Sequence, residues 1–341
     1  MTASNSTNSN IEENINKLER GSFPQNWSAY NTAQTREIEL FMKLLADICS
    51  FISNSEHRYG RPTLPLPDMI FTSALKVYSG FSLRRFVGLM KIAKEKDYIE
   101  NICSYSTVSN YMRKPELTQL LHKLIRMSSL PLRSVEKDFA ADSSGFSTSR
   151  FARYFSFKHG RDLKYRQWVK VHLMCGTKTN VVTDIQITEG NASDYPQLKL
   201  LVDNTAGIFQ ISEVSADKAY SGRSNLKAVS SRGGMPYIPF KKNARPTKKG
   251  CRIWREMFHY FQYKRDEFMK HYHKRSNSET VFHMIKTKFR DNVRSKNRTA
   301  QINELLSKVL CHNICVVIQE MHELGIEPNF YDYSFNNIHL K

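Results

Sequence analysis

The sequence lacks several features that would point to whole classes of protein. No apolar run approaches the roughly 18–20 residues that a membrane-spanning helix needs, so we expect no membrane span and no membrane partner. The Asn/Ser/Thr-rich segment 1–10 has no basic region and no apolar region, so we expect no secretory signal. Six scattered cysteines predict reduced thiols in an intracellular protein rather than a disulfide framework. No Gly-rich phosphate loop is present, so no nucleotide cofactor is expected.

Acidic residues are also scarce relative to basic ones. The 341 residues include 51 Lys+Arg and 32 Asp+Glu, which gives a formal net charge of +19. Hydrophobic residues make up 40%, enough for a real core in one large or two moderate domains. A strongly basic intracellular protein has nucleic acid as its first expected partner. Basic ribosomal-type proteins share this charge, so charge alone does not decide the function.

Composition and hydrophobic periodicity change along the chain and predict four regions. Residues 1–35 are polar and read as a disordered tail. Over 36–130, apolar residues recur at spacings of three and four without alternation, which predicts a small helical domain. Alternating strand-like and helical segments then fill 131–326, followed by a C-terminal tail at 327–341.

The order of elements in the second domain predicts its fold class. Three strands, a helix, a strand, a helix, a strand and a helix indicate a mixed α/β domain in which helices cover a sheet. Asp142 is predicted to end the first strand before a Ser-Ser-Gly loop, and Asp217 ends a later strand. A carboxylate at the carboxyl end of a strand lies where open sheets bind ligands. For either aspartate alone, capping of a turn or helix remains the alternative.

A second pattern falls on one side of a predicted helix. It consists of Tyr272, Arg275, Glu279 and Lys286. These four residues lie within about 60° of one another around a helix of about 100° per residue. The helix therefore presents a carboxylate between two cations, with a phenol beside them, while an adjoining apolar stripe can pack on a sheet. The alternative is a surface salt-bridge ladder between Arg275 and Glu279.

The stretch at about 241–270 combines basic and aromatic residues, and we interpret it as an insertion in the second domain. Residues 241–275 contain 12 Lys/Arg against 3 acidic residues. Lys241, Lys242 and Trp254 are candidate DNA contacts, since cations follow a phosphate backbone and aromatic rings stack on bases. The alternative is a loop with its own small core.

The helical domain contains a candidate recognition helix at 104–114, with Ser106 as its expected cap. The basic residues expected to contact DNA in this domain are Arg84, Arg85, Arg113 and Lys114. An ordinary capped surface helix remains an equal alternative, because helix-turn-helix signatures are weak.

Taken together, the motifs resemble a known family. They are Ala140-Ala141-Asp142-Ser143-Ser144-Gly145-Phe146, Ser215-Ala216-Asp217-Lys218-Ala219-Tyr220, and Tyr272/Arg275/Glu279/Lys286. In combination they resemble the DDE transposases of prokaryotic insertion sequences, whose last acid lies in a YREK signature. The resemblance covers roughly 131–320 and implies an RNase-H-like catalytic domain. Ala219 departs from the glycine of many relatives, for which we expect a small backbone difference.

The resemblance implies a catalytic role for three carboxylates. Asp142, Asp217 and Glu279 would be the catalytic acids and the ligands of two Mg²⁺ or Mn²⁺ ions, because converging carboxylates repel one another without cations. In that assignment Asp142 contacts both ions, and the other two acids complete one site each. Arg275 and Lys286 would hold DNA phosphates near the scissile bond, with Tyr272 stacking or hydrogen bonding beside them.

The resemblance also implies the reaction. A cut-and-paste DNA transposase binds the terminal inverted repeats of its element, cleaves there and joins 3′-hydroxyls to target DNA. It would act as a homodimer on DNA in the cytoplasm of a prokaryote, associated with the nucleoid. One alternative is a catalytically silent or domesticated descendant that binds DNA, against which the intact acids and basic partners weigh. The other is an RNase-H-like nuclease without strand transfer, which joined products would exclude.

Overall fold

The chain folds into two compact units. The computed structural model describes residues 26–53, 64–148, 168–246 and 250–331. One unit, here called the helical unit, combines the chain up to Leu132 with the chain from Ser295 onward. The other, the sheet unit, is the continuous stretch Arg133–Arg294.

The elements are numbered in chain order. The described helices are α1 (Trp27–Ser50), α2 (Leu66–Ser79), α3 (Leu83–Glu95), α4 (Tyr105–Tyr111), α5 (Pro115–Ser129), α6 (Gln197–Ala206), α7 (Arg223–Ser231), α8 (Arg252–Tyr263), α9 (Arg265–Tyr272), α10 (Ser276–Phe289) and α11 (Arg298–Glu323). The described strands are β1 (Asp138–Ser147), β2 (Trp168–Gly176), β3 (Val182–Glu189), β4 (Glu213–Ala216) and β5 (Met235–Tyr237). Short 3₁₀ helices lie at Leu130–Leu132, Lys218–Tyr220 and His273–Arg275. None of the helices in these ranges is both long and apolar enough to cross a membrane.

The helical unit begins earlier than the predicted boundary at residue 36. Helix α1 starts at Trp27, and the Asn26 side chain caps it by accepting a hydrogen bond from the Ala29 N–H (3.1 Å). Ala29 and Ala33 are buried and extend the apolar stripe of the helix toward its N-terminus. The part of the predicted tail from Trp27 to Thr35 is therefore helical, while residues 1–25 lie outside the described residues.

The last helix belongs to the helical unit, which differs from the predicted boundary at 326. Helix α11 packs against α1, α2 and α5. The amide of Asn303 in α11 donates to the carbonyls of Met112 (2.9 Å) and Lys114 (3.1 Å) and accepts from the Thr118 hydroxyl (2.7 Å). Helix α11 is buried around most of its circumference, and its buried polar residues such as Asn303 bond to the helices that cover it.

The sheet unit confirms the predicted mixed α/β class. Its sheet has, within the described residues, the strand order β3-β2-β1-β4-β5. Strands β1, β2 and β3 pair antiparallel, whereas β4 and β5 run parallel to β1. This is the RNase-H-like arrangement that the resemblance implied. It places the carboxyl end of β4 beside the middle of β1, where Ala216 lies opposite Ala141.

Strand β1 is longer than predicted. It continues past Asp142 to Ser147, because β2 pairs with it over its whole length, from Phe139 opposite Gly176 to Ser147 opposite Trp168. The predicted Ser-Ser-Gly loop is therefore part of the strand. The parallel pairing with β4, in contrast, ends at Ala141 opposite Ala216, one residue before each aspartate.

Helix α10 packs on β1 and β2 through an apolar stripe, as its spacing predicted. Phe282, Ile285 and Phe289 in this stripe are buried, together with Val281. The packing fixes the rotation of the helix, so that its charged residues are held over the sheet near Asp142.

Candidate active site

Asp142 within β1 and Asp217 just after β4 lie at the same level of two adjacent parallel strands. Ala141 pairs with Ala216, and an aspartate follows each of these two residues, so the two aspartates lie side by side. The Asp142 side chain is only 17% exposed, and its Oδ1 accepts a hydrogen bond from the Ser143 N–H (2.8 Å). Asp217 is half-buried and precedes the 3₁₀ turn. The sequence prediction that two strand ends bring these carboxylates into one place is consistent with this register.

Glu279 reaches the site from the first turn of α10. It is linked to Asp142 by Arg275, whose guanidinium hydrogen bonds to Asp142 Oδ2 (2.6 Å) through Nη1 and to Glu279 Oε1 through Nη2. The Arg275 side chain is 19% exposed, while Glu279 is 60% exposed. The ladder between Arg275 and Glu279 is therefore present, but its arginine also contacts a second acid on the sheet.

The charged state of Asp142 is disfavoured by its surroundings. Burial raises the pKa of its carboxyl, and the nearby negative charges of Asp217 and Glu279 raise it further. The Ser143 N–H and the Arg275 guanidinium act in the opposite direction. Asp217 and Glu279 therefore both lie within electrostatic range of Asp142.

Lys286 and Tyr272 complete the predicted stripe. The Lys286 ammonium donates to the Ser144 hydroxyl (2.6 Å) and lies 5.2 Å from the centre of the Phe146 ring. Burial lowers the pKa of Lys286. The Arg275 guanidinium lies 5.9 Å from the centre of the Tyr272 ring. All four residues of the stripe are therefore grouped around the end of the β1–β4 pairing.

One residue at the site, Ser278, and one residue that anchors the neighbouring turn, Lys274, were not found from the sequence. Ser278 is fully buried; its hydroxyl donates to the Arg275 carbonyl (2.6 Å) and lies 3.5 Å from Asp142 Oδ2. A small polar residue inside the apolar stripe of α10 was the available signal. Lys274 bonds to Asp138 (2.8 Å) and Glu213 (2.5 Å), the first residues of β1 and β4. No sequence signal connects these three, because strand register cannot be read from the sequence.

The donor set fits a hard divalent cation in its chemistry. Asp142, Asp217 and Glu279 offer carboxylate oxygens, which Mg²⁺ and Mn²⁺ prefer. Burial is the main cause of the raised pKa of Asp142, and the charges of Asp217 and Glu279 add to it. Among the described residues, however, no three His, Cys, Asp or Glu side chains are close enough together to hold a metal ion as they stand. Positive charge at Asp142 and Glu279 is supplied by Arg275.

The basic residues predicted in the helical unit are exposed. The Arg84 guanidinium lies over the Tyr105 ring (5.6 Å) and that of Arg85 over the Phe81 ring (5.4 Å). Arg113 and Lys114 lie between α4 and α5. The recognition-helix candidate is short and is capped by Ser104 rather than by the predicted Ser106: the Ser104 hydroxyl accepts from the Thr107 N–H (3.2 Å).

The basic and aromatic insertion separates into a core and a surface. Its helices α8 and α9 enclose a cluster of aromatic rings formed by Tyr237, Phe240, Trp254, Phe258, Tyr260, Phe261 and Phe268. Trp254 is buried against Phe240 (ring centroids 4.8 Å apart), and its indole N–H donates to the Arg245 carbonyl (3.1 Å). Trp254 therefore packs in a small core, the alternative interpretation of this segment. Lys241 and Lys242 are exposed.

Comparisons with known proteins agree with the motifs. A family model described as a transposase DDE domain matches residues 133–314. The probable transposase for insertion sequence element ISA1214 of Archaeoglobus fulgidus is 24% identical over 216 residues, which cover 63% of this chain and 64% of that protein. The match thus spans just under two thirds of that relative's length.

A solved structure also aligns with the chain. It is a cryo-EM structure of piggyBac transposase in a synaptic complex with hairpin DNA, with 12% sequence identity over 85% of this chain and 76% of that chain. Its TM-score of 0.39 is too low to establish a common fold. The family match, in contrast, covers more than half of the chain and confirms the resemblance seen in the sequence. This protein belongs to the family of transposases with a DDE domain.

Proposed function

We propose that this protein is a DNA transposase whose carboxylates Asp142, Asp217 and Glu279 bind divalent cations for strand cleavage and strand transfer. The observation that carries the proposal is the grouping of these acids. Two of them follow paired residues of adjacent parallel strands, and the third is linked to Asp142 through Arg275. Family membership supports the same reaction class.

The residues of the site have distinct tasks in this proposal. Bound Mg²⁺ or Mn²⁺ would supply activation of a water or 3′-hydroxyl and stabilisation of the leaving oxygen. Asp142, Asp217 and Glu279 hold the cations. Arg275 and Lys286 would hold DNA phosphates near the scissile bond, since both contact residues of β1, Asp142 and Ser144. The Tyr272 ring supports the Arg275 guanidinium from one side.

Recognition of the DNA ends is assigned to the helical unit. Its exposed cations Arg84, Arg85, Arg113 and Lys114 would contact phosphates of the terminal inverted repeats, and the surface residues Lys241 and Lys242 would contribute from the sheet unit. Cut-and-paste transposition requires two ends to be held together, so we propose a homodimer on DNA. The net charge of +19 supports an association with chromosomal DNA in the nucleoid.

A strand-cleavage assay with two glutamate variants tests the proposal. Labelled DNA with the sequences that flank the gene is incubated with the full chain and Mn²⁺ or EDTA. Glu279→Gln should reduce nicking to the EDTA background and leave DNA affinity nearly unchanged, because it removes one cation ligand. Glu256→Gln is the matched control, since Glu256 forms the same i,i+4 pair with an arginine (Arg252) on the surface of α8.

Each result has a defined meaning. Nicks at a fixed point beside an inverted repeat, lost only in Glu279→Gln, support the transposase. DNA binding without nicks by the wild-type protein would support a silent or domesticated descendant instead. Cut products without joined products would support a nuclease. Nicking that persists in Glu279→Gln would contradict the assignment of this residue.

A further inference from the structure

The site contains a basic side chain in the position where a cation would be needed. We infer that Arg275 occupies the cation-binding oxygens of Asp142 and Glu279 in the metal-free protein, and that it exchanges these carboxylates for a DNA phosphate when the cations bind. The inference rests on the proposed function and adds a mechanism by which DNA binding and metal binding favour each other.

The contacts of Asp142 show that Arg275 occupies its second carboxylate oxygen. Its Oδ1 is engaged by the Ser143 N–H of its own strand (2.8 Å). The remaining oxygen, Oδ2, faces α10, where the Arg275 Nη1 donates to it (2.6 Å) and the Ser278 hydroxyl lies 3.5 Å away. A cation that binds Oδ2 therefore has to displace the guanidinium.

The contact with Glu279 shows that Arg275 joins two of the three acids. The same guanidinium uses Nη2 to bond Glu279, so one planar group spans two of the three acids. A guanidinium can do this because its donors form a rigid fork, whereas a lysine ammonium is a single point charge. Arg275 thus links the sheet carboxylate to the helix carboxylate in the way that a shared cation would.

Electrostatics makes the two occupants mutually exclusive. A guanidinium and a divalent cation on the same carboxylate oxygen would lie within a few ångströms of each other, where like charges repel strongly at a partly buried site. The Asp142 and Arg275 side chains are 17% and 19% exposed, so water screens this repulsion only weakly.

Once released from the carboxylates, the Arg275 guanidinium can bind a DNA phosphate. Arginine binds phosphate with two parallel hydrogen bonds, and the Tyr272 ring lies 5.9 Å from the guanidinium carbon. If phosphate draws Arg275 away, the carboxylates are free to bind the cation. By linkage, cation binding must then strengthen DNA binding by the same factor.

Calorimetric titration of the metal-free full chain with Mn²⁺, without DNA, tests the exchange. Arg275→Gln should bind Mn²⁺ at least about fivefold more tightly than wild type, the lower end of typical coupling between sites. Arg252→Gln, which breaks the equivalent i,i+4 pair on α8, should bind as wild type does. Lys286→Gln removes a nearby ammonium that bonds to Ser144 rather than to an acid, so it should raise the Mn²⁺ affinity by less.

A second titration adds a short DNA duplex of unrelated sequence. DNA should tighten Mn²⁺ binding by wild type, and this effect should shrink in Arg275→Gln. Arg275→Lys keeps the charge but cannot span both acids, so its Mn²⁺ affinity should lie between those of wild type and Arg275→Gln. This variant also serves as the test if Arg275→Gln fails to fold. The exchange would be overturned if Lys286→Gln and Arg275→Gln raised the Mn²⁺ affinity equally, or if Arg275→Gln did not raise it.

The titration also separates this inference from the proposed function. If Mn²⁺ binding depends on Asp142, as judged by its loss in Asp142→Asn, but is unaffected by Arg275→Gln, only the exchange is wrong. If Asp142→Asn binds Mn²⁺ as wild type does, or no variant binds it, the carboxylates are not a cation site. That result would overturn both.

Discussion

Asp142 accepts a hydrogen bond on each carboxylate oxygen, one from the Ser143 N–H and one from the Arg275 guanidinium. Burial raises the pKa of this carboxyl, and two neighbouring acids raise it further. Perturbed groups with named causes concentrate at functional sites. Among single residues, these contacts and this raised pKa support our proposal that Asp142 binds a divalent cation.

Glu136 has a raised pKa for a purely structural reason. Its carboxylate is fully buried and accepts hydrogen bonds from the Thr179 hydroxyl (2.8 Å) and the Lys178 N–H (3.1 Å) in the turn between β2 and β3. Gly176 allows this approach, because a Cβ there would lie 2.2 Å from the Glu136 carboxyl carbon. Burial raises the pKa of Glu136 from 4.5 to about 6 despite these bonds.

The raised pKa predicts how stability depends on pH. The folded state holds the proton up to a higher pH than the unfolded state does, so this group's contribution to stability is present below pH 4.5 and is lost as the pH rises through about 6. Relative to Glu136→Gln, wild type should lose about 2 kcal/mol of unfolding free energy between pH 4.5 and 7. Urea denaturation at several pH values measures this difference.

The exposed variant Glu256→Gln serves as the control, since it should keep the pH dependence of wild type. A constant difference between wild type and Glu136→Gln over this pH range would show that Glu136 has an ordinary pKa in the folded protein.

At the scale of elements, the turn before α10 is anchored at the opposite end of the strands from Asp142. Lys274 pairs with Asp138 and with Glu213, whose side chain is only 9% exposed. Lys274→Met should lower the unfolding free energy by about 1–2 kcal/mol, because two partly buried carboxylates lose their cation. Thermal denaturation measures the loss. Arg252→Met, at an exposed pair, should leave the unfolding temperature unchanged.

The outcome of Lys274→Met also bears on catalysis. If Lys274 positions Arg275 and Glu279, its loss should reduce cleavage more than the fraction of unfolded protein explains. Cleavage and stability equal to wild type would mean that the turn is held by α10 packing alone.

The sequence predicts elements with strong periodicity well and partnerships between distant elements poorly. The stripe of Arg275, Glu279 and Lys286 follows from helical spacing, and the succession of strands along the chain follows from alternation. The burial of Trp254 could not be predicted, because composition does not distinguish rings that pack on one another from rings that face DNA. The placement of α11 depends on Asn303 reaching residues almost two hundred positions away, which no local pattern encodes.

At the scale of the whole molecule, the excess of basic residues predicts electrostatic DNA binding. Affinity should fall steeply with salt, because each phosphate contact releases counterions. The double variant Arg84→Gln/Arg85→Gln should reduce the salt slope by about two, one for each lost contact. Fluorescence anisotropy over a salt series measures the slope.

A charge-matched control is available on α1. The double variant Arg36→Gln/Lys43→Gln removes the same charge from exposed positions that have no assigned DNA contact. If both double variants change the slope equally, Arg84 and Arg85 are not specific contacts and the DNA-binding role of the helical unit has to be reassigned.

Strand transfer by the Asp142 site is the central claim, and joined DNA is its most direct product. Full-length protein is incubated with Mg²⁺, DNA carrying the element's ends and a circular target, and target molecules with a joined end are counted. We expect joined products for wild type and for Asp266→Asn, a variant of an exposed residue on α9, and none for Asp142→Asn. Joined products at the wild-type level in Asp142→Asn would show that this site does not carry out strand transfer.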